Sequence, residues 1–387
     1  MTTTVSNLYL FLLWETARTH ENFLLQELQK KFHIKDVYEI TWEKKNFPKN
    51  LRRFYGPGKV GNVNAKTELC GTGSFLLIIV SDPNPKFGKR RTSKGMELVN
   101  LNLFDNKKIY RKITGKSYAI HSSITEQETN DDLTMLLGIN LNDISKSFPD
   151  AWDGTFKQIH SDIVGQNGWK NFEEFVYVLN STINYVILRN FEDLPTNFLS
   201  YENNDIDILT DDFLQIPYIA NGGKSAFNNK FPPLVKISGK AISLDVGYPD
   251  DGYYDKKWSS DILKRKELYH GFFVPSKEDY FYSLFYHAVF HQKKISPQYK
   301  NKLKNLANDI GIGSVEHLLD DISKSKKFLE NYMKSKGYRH TNSQSYRLIN
   351  NRPYQLLKIF FMLWKVHGFK FLIESIKGKI KRSIQKK

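Results

Sequence analysis

The sequence predicts an α+β fold that is divided into more than one domain. The chain has 387 residues, which is the length of two or three ordinary domains. Hydrophobic residues account for 40% of it and aromatic residues for 14%, so the chain can build packed cores and is not disordered throughout. Strand and helix patterns are interspersed up to about residue 275, and helical patterns follow. This arrangement suits an α+β protein.

The N-terminal region, 1–145, is predicted to form a small antiparallel sandwich of the ferredoxin-like kind. Apolar or alternating runs predict strands over 8–14, 37–42, 75–80, 98–103 and 118–121. Helical periodicity, with Phe23 and Leu24 on the apolar face, predicts a helix over 15–33, and Thr125 is placed to cap a second helix over 126–137. Prolines and glycines over 46–61 predict a basic loop.

A connector over 141–170 precedes the central region, 170–300, which is predicted to hold a mixed sheet. A helix is predicted over 171–179, strands over 185–189 and 205–209, and a hairpin that joins 235–237 to 241–246 through Ser238 and Gly239. Further helices are predicted over 276–291, 297–309, 314–321 and 323–336. The last region, 301–387, is therefore expected to be helical, and it ends in a basic segment.

Composition limits the partners and the compartment. Lysine and arginine number 57 against 41 acidic residues, a net charge of +16, which favours polyanionic partners, although a solvated lysine-rich surface would produce the same surplus. The single cysteine, Cys70, excludes an internal disulfide and a cysteine-based zinc site. Neither a signal-peptide pattern nor an apolar window of about 20 residues is found, so we expect a cytoplasmic protein.

The strongest chemical pattern is the pair Asp205 and Asp207 within an apolar strand. Residues two apart on a strand point to the same face, so the two carboxylates project together while Ile206 and Ile208 enter the core. Carboxylates held this close repel each other, and a hard cation such as Mg²⁺ removes the repulsion. The alternative is that both aspartates simply begin a strand after a polar run.

A third aspartate, Asp245, lies inside the apolar strand pattern 242–246. If that strand is adjacent to the one that carries Asp205 and Asp207, the three carboxylates form one cluster. Such a cluster can bind one or two Mg²⁺ (or Mn²⁺) ions, which orient a triphosphate for in-line displacement.

This pattern resembles the polymerase-β-type nucleotidyltransferase superfamily over roughly 180–300. There, a strand with two aspartates separated by one apolar residue is followed by a later strand with the third carboxylate, and 275–287 is similar to the helical region beyond the sheet. The resemblance implies a Mg²⁺-dependent nucleotidyl- or phosphotransferase that acts on a nucleotide or nucleotide-activated substrate. Asp205, Asp207 and Asp245 would be its catalytic metal ligands. The family's Gly-Gly/Ser turn is absent, and Arg189 stands near its place, where it would contact phosphate directly unless catalysis has been lost or altered.

Two other functions stay open. Asp-x-Asp also occurs in nucleotide-sugar glycosyltransferases, although those need several βα units upstream and only one strand precedes Asp205. The missing glycine turn favours a non-catalytic nucleotide-binding or interaction protein with a degenerate fold. The chain also resembles uncharacterised bacterial proteins of surface-polysaccharide gene clusters, which implies a role in cell-surface glycan synthesis.

His121 is a second candidate phosphate contact. The segment 118–126 resembles the strand–turn–helix of nucleoside diphosphate kinases, in which a histidine accepts the phosphate, and the resemblance extends over about 8–138. The lysine of that family near the end of the first strand is missing. This departure disfavours phosphotransfer at His121 and leaves a degenerate phosphate pocket or a structural histidine.

Tyr253 and the basic end of the chain complete the candidates. Tyr253 follows Asp245 closely and would stack on a base or sugar, unless it is a core aromatic. His287 and His291, four residues apart on a predicted helix, could share a metal or line a buried helical face. The segment 353–387 is basic and rich in aromatic residues, which is typical of a helix on an anionic membrane surface and disfavours nucleic acid. We therefore expect peripheral contact with the inner face of the membrane, or docking of this segment on the protein's own core.

Overall fold

The structure, a computed structural model, describes residues 7–57, 60, 62–92, 95–116, 118–149, 151–196, 198, 205–222 and 233–341. These residues divide into two compact units, with the boundary between Asn167 and Gly168. Unit 1 comprises the described residues before this boundary, and unit 2 comprises those after it. The boundary lies within the predicted connector 141–170.

Unit 1 is built on a mixed five-stranded sheet with the order β6-β1-β3-β2-β7. Strands β2 and β7 are parallel, and the other neighbours are antiparallel. The continuous apolar runs of β1 and β3 are buried on both faces because helices cover both sides of the sheet. The five strands are β1 (Leu8–Leu13), β2 (His33–Thr41), β3 (Phe75–Ser81), β6 (Ile120–Ser122) and β7 (Lys157–His160).

The helices of unit 1 contribute to two separate cores. Leu24 and Leu103 belong to one core, and Leu51 and Leu133 belong to the other. A two-stranded hairpin, β4 (Phe87–Thr92) with β5 (Gly95–Asn100), precedes the fourth helix. The helices are α1 (Glu21–Gln29), α2 (Phe47–Tyr55), α3 (Val63–Cys70), α4 (Leu101–Ile113), α5 (Glu126–Leu137) and α6 (Leu141–Ile144).

One local prediction for unit 1 is wrong, and two others are wrong in their bounds. The predicted loop over 46–61 contains helix α2, because Pro48 lies in its first turn, where its missing N–H is not needed, and Phe47 and Leu51 are buried. The predicted strand over 98–103 ends at Asn100, whose side chain accepts a hydrogen bond from the Asn102 N–H and so begins α4. The predicted helix over 15–33 begins as a 3₁₀ turn, and Phe23 is exposed.

Unit 2 is built on a mixed four-stranded sheet with the order β10-β11-β9-β8. Strands β9 and β11 are parallel, and the two outer pairs are antiparallel. The predicted hairpin is confirmed: Ser238 and Gly239 both have positive φ, as a two-residue turn between twisted strands requires. The strands are β8 (Tyr185–Ile187), β9 (Asp205–Thr210), β10 (Leu234–Ile237) and β11 (Lys240–Gly247), with a separate hairpin of β12 (Glu267–Tyr269) and β13 (Phe272–Val274).

Helices alternate with the strands of unit 2 and form its C-terminal part. Helix α9, which the sequence patterns did not predict, buries Trp258 and Ile262. Helix α10 continues as a π-helical segment, His287–His291. The helices are α7 (Phe172–Thr182), α8 (Ile216–Ile219), α9 (Lys256–Lys264), α10 (Lys277–Tyr286), α11 (Pro297–Asp309), α12 (Glu316–Leu319) and α13 (Ile322–Lys336).

Among the described residues, none of the helices combines the length and the apolar character needed to cross a membrane. The basic segment 353–387, for which contact with an anionic membrane is predicted, lies outside the described residues.

Candidate functional site

The three predicted metal-binding aspartates lie on two adjacent parallel strands. Asp207 of β9 is directly opposite Asp245 of β11, and Asp205 is opposite Ser243. Partners on neighbouring strands share a face, so all three carboxylates are carried on the same face of the sheet. Ile206 and Ile208 alternate with them and are fully buried on the opposite face. Strands β9 and β11 are therefore adjacent, as the predicted cluster of three carboxylates requires.

Arg189 contacts this cluster directly. It follows β8, and the Leu188 N–H donates a hydrogen bond to the Asp207 carbonyl at 2.8 Å, which places the Arg189 side chain beside Asp207. The Arg189 guanidinium donates through Nη2 to Asp207 Oδ1, and the two side chains are only 11% and 8% exposed. Arg189 is thus an internal counter-ion of the acidic cluster.

The electrostatics of the site are dominated by Asp207. Burial raises the pKa of Asp207 to about 7; Arg189 opposes this rise, and Asp245 and Asp205 add to it. Burial likewise raises the pKa of Asp245, but this carboxylate keeps contact with solvent, which screens its charge. Burial disfavours the charged form of Arg189 and so acts to lower its pKa. The neighbouring Tyr253 hydroxyl and Asp207 carboxylate more than offset this effect and hold the pKa of Arg189 above its usual range. The site therefore holds more negative charge than one arginine neutralises.

Tyr253 packs against the same arginine. The Arg189 guanidinium carbon lies 5.9 Å from the centroid of the Tyr253 ring, and the Tyr253 ring stacks on His291 with 3.9 Å between centroids. The Tyr253 hydroxyl is hydrogen-bonded to His287 Nδ1. Its ring and hydroxyl therefore contact groups of the protein, and these contacts hold Arg189, Tyr253 and the two histidines together.

The two histidines are uncharged in this setting. Burial and the charge of Arg189 lower the pKa of His287 to about 3. The backbone carbonyl of Tyr253 accepts a hydrogen bond from His291, which opposes a similar change there. Burial nevertheless lowers the pKa of His291 to about 4. His287 Nδ1 contacts Tyr253, and its Nε2 lies 2.9 Å from Gln292 Nε2, so both ring nitrogens already have partners. These contacts disfavour a metal shared by His287 and His291 and favour the alternative, a buried helical face. The π-helical turn that carries both histidines is a feature often found at functional sites.

The metal-ligand geometry differs between the two units. Within the part of the chain that the structure describes, one group of His, Asp or Glu side chains brings its ligand atoms within 4.8 Å of one another, and it consists of His121, Glu128 and Asp132 in unit 1. The three aspartates of unit 2 do not form such a group. The donor chemistry of Asp205, Asp207 and Asp245 suits Mg²⁺, but the group seen at Asp207 is the Arg189 guanidinium.

His121, the second predicted phosphate contact, is buried beside carboxylates. Its Nε2 lies 2.7 Å from Asp132 Oδ2, and its ring packs edge-on against Phe54 and Tyr55 with centroids 5.4 and 5.7 Å away. A phosphate at Nε2 would be repelled by Asp132, so this nitrogen is not placed to contact an anion.

Sequence reasoning missed the partners of His121. The available signal was the spacing of Glu128 and Asp132, which are four residues apart and so share one face of α5. It also missed the pairing of Arg189 with Asp207, which requires β8 and β9 to be neighbours.

Comparison of the chain with protein-family models, with curated proteins and with solved structures found no match.

Proposed function

We propose that unit 2 is a Mg²⁺-dependent nucleotidyl- or phosphotransferase-like domain in which Asp205, Asp207 and Asp245 bind the cation. The observation that carries the proposal is the register of β9 and β11, which places Asp207 opposite Asp245 with Asp205 on the same face. Three neighbouring carboxylates cost free energy unless a positive partner joins them: burial is the main cause of the raised pKa of Asp207, and the charges of Asp245 and Asp205 add to it. A divalent cation is the partner that oxygen ligands prefer.

The topology supports the same family. The strand with Asp205 and Asp207 pairs with the strand that brings Asp245, so the two aspartate-bearing strands of the nucleotidyltransferase resemblance are neighbours in one sheet. In unit 1, the antiparallel order β6-β1-β3-β2, with helices between β1 and β2 and between β3 and β6, supports the proposal of a ferredoxin-like core. Strand β7 and the helices on the second face would be additions to it.

Each residue has a distinct role in this proposal. A bound cation would be held by the three carboxylates, and it would neutralise phosphate charge and orient the reacting group. With the carboxylate charge balanced in this way, the Arg189 guanidinium becomes available to donate hydrogen bonds to a phosphate oxygen. Tyr253, His287 and His291 keep Arg189 and its surroundings in place.

The test is metal-dependent binding by the full chain. Nucleoside triphosphates and nucleotide sugars are screened by thermal shift with and without Mg²⁺ or Mn²⁺, because a ligand of the native state raises its stability. The best binder is then titrated into Asp207→Asn, which removes a charge with little change of shape, and into Asp309→Asn, an exposed aspartate of the same unit. We expect at least tenfold weaker metal-dependent binding for Asp207→Asn alone. Equal binding by parent and Asp207→Asn would refute the metal assignment.

The pairing of Arg189 with Asp207 favours a second candidate, a non-catalytic phosphate- or nucleotide-binding domain with no metal. In that case nucleotide binding persists in the presence of EDTA and is lost in Arg189→Gln. The nucleotide-sugar arm of the screen addresses the glycosyltransferase alternative, since selective binding of nucleotide sugars would favour glycan synthesis.

A further inference from the structure

The cluster around His121 joins a strand to the helix that follows it. His121 lies in β6 at one edge of the five-stranded sheet, where it pairs with Leu12 of β1. Helix α5 begins at Glu126, where Thr125 accepts a hydrogen bond from the Glu128 N–H. Glu128 and Asp132 are four residues apart, so both reach the helix face that His121 meets.

The three side chains are held in defined positions. Asp132 and His121 are each 7% exposed, whereas Glu128 is half-buried and opens the cluster towards solvent. The Ile124 N–H donates to Glu128 Oε2 at 3.0 Å, and the aromatic rings of Phe54 and Tyr55 fix the His121 ring. One imidazole nitrogen and two carboxylate oxygens therefore lie within 4.8 Å of one another with little freedom to move apart.

From this arrangement we infer that His121, Glu128 and Asp132 form a binding site for one divalent transition-metal ion, of which Zn²⁺ and Mn²⁺ are the probes. Two carboxylates favour a cation over an anion, and a neutral imidazole selects a transition metal over Ca²⁺, which takes oxygen ligands. Three protein ligands leave positions for water or a substrate, as in catalytic metal sites. The site belongs to unit 1 and does not depend on the function proposed for unit 2.

The competing explanation is a structural ion pair in which a protonated His121 balances the carboxylates. Both explanations involve the same contacts, so the number of metal ions bound per chain is the measurement that distinguishes them. The full chain is freed of metal and equilibrated by dialysis with Zn²⁺, Mn²⁺ or Ca²⁺, and bound metal is measured. The variants are Asp132→Asn and Glu128→Gln. The matched controls are Asp131→Asn, on the same helix but at a more exposed position, and His33→Ala, an exposed histidine.

We expect the parent and both controls to bind one more equivalent of Zn²⁺ or Mn²⁺ than Asp132→Asn does. The affinity of the site for these metals should be at least tenfold weaker in Asp132→Asn and in Glu128→Gln. The parent should bind little Ca²⁺. Asp207→Asn should retain this equivalent, which separates the inference from the proposal for unit 2. Equal binding by the parent and Asp132→Asn would overturn the inference.

If Asp132→Asn does not fold, the parent still provides a test. Fe²⁺ with ascorbate and peroxide oxidises side chains next to a bound iron, and mass spectrometry locates the oxidised residues. Oxidation at His121 that exceeds oxidation at His33 and is suppressed by Zn²⁺ supports the site. Oxidation at His121 no greater than at His33 contradicts it.

Discussion

The two units both gather carboxylates beside a strand, but they balance the charge in different ways. In unit 2 the counter-charge at Asp207 is the guanidinium of Arg189, and in unit 1 the neighbour of Asp132 is the imidazole of His121. A guanidinium stays charged at any ordinary pH, whereas an imidazole loses its proton near neutrality and can then ligate a metal. A metal at the unit 1 cluster would therefore meet a side chain that can itself ligate it, whereas a metal in unit 2 would have to share or displace Arg189.

This difference has consequences for stability. A buried carboxylate that loses a strong cationic neighbour is costly, and Asp207 has two further carboxylates beside it.

The largest effect is expected from Arg189→Ala without added metal. The change leaves Asp207 buried among carboxylates, so unit 2 should lose about 3 kcal/mol of stability near pH 8. Hydrogen exchange of the β9 amides reports the opening of this unit. Mg²⁺ should restore part of the loss if the three aspartates bind it.

The control for this change is Arg90→Ala, since Arg90 and Asp105 form an exposed pair 3.9 Å apart. Its loss should stay below about 0.5 kcal/mol. A loss of less than about 1 kcal/mol in Arg189→Ala would mean that the guanidinium is not the main counter-charge of the cluster.

The second effect is a dependence of stability on pH. The pKa of Asp207 is raised to about 7 in the folded chain from its usual value of 3.8, mainly by burial. Protonation therefore stabilises the fold; the contribution is complete below the unfolded pKa and is lost as pH rises through the folded pKa. Between about pH 5.5 and pH 8 the metal-free parent should lose about 2 kcal/mol that Asp207→Asn does not lose.

This difference is measured by urea unfolding, or by exchange of the β9 amides, at both pH values. The stability of each protein at one pH is compared with its own stability at the other pH. The free energy that Asp207→Asn loses by breaking the pair with Arg189 then cancels, because it is taken as the same at both pH values. Asp309→Asn, which removes an exposed carboxylate, should behave like the parent. Parallel curves for the parent and Asp207→Asn would show that Asp207 does not titrate in this range.

The smallest effect is expected from His121→Ala on any metal-dependent transfer at unit 2. Nitrogen Nε2 of His121 faces Asp132, so it is not placed to accept a phosphoryl group, and the rate should stay within about tenfold of the parent, or 1.4 kcal/mol of barrier. Single-turnover assays with the folded variant measure this. A phosphohistidine trapped after incubation with labelled ATP would instead make unit 1 the catalytic part.

Features that depend on local periodicity could be predicted from the amino-acid sequence. The continuous apolar runs of β1 and β3, the Thr125 cap of α5 and the shared face of Asp205 and Asp207 each follow from residues close together in the chain. Local patterns failed where tertiary burial outweighed them, as in α2, where the buried Phe47 and Leu51 stabilise a helix within a segment rich in proline and glycine.

Which of these elements are neighbours could not be predicted from local patterns and follows from the packing of the folded chain. The periodicity of β11 places Asp245 on one face of a strand but does not name the neighbouring strand, and the pairing with β9 brings it opposite Asp207. The contacts of Arg189 with Asp207 and of His121 with Asp132 likewise depend on how strands and helices pack. Local sequence sets the direction in which a side chain points, whereas charge compensation in a buried site depends on distances between segments that only packing fixes.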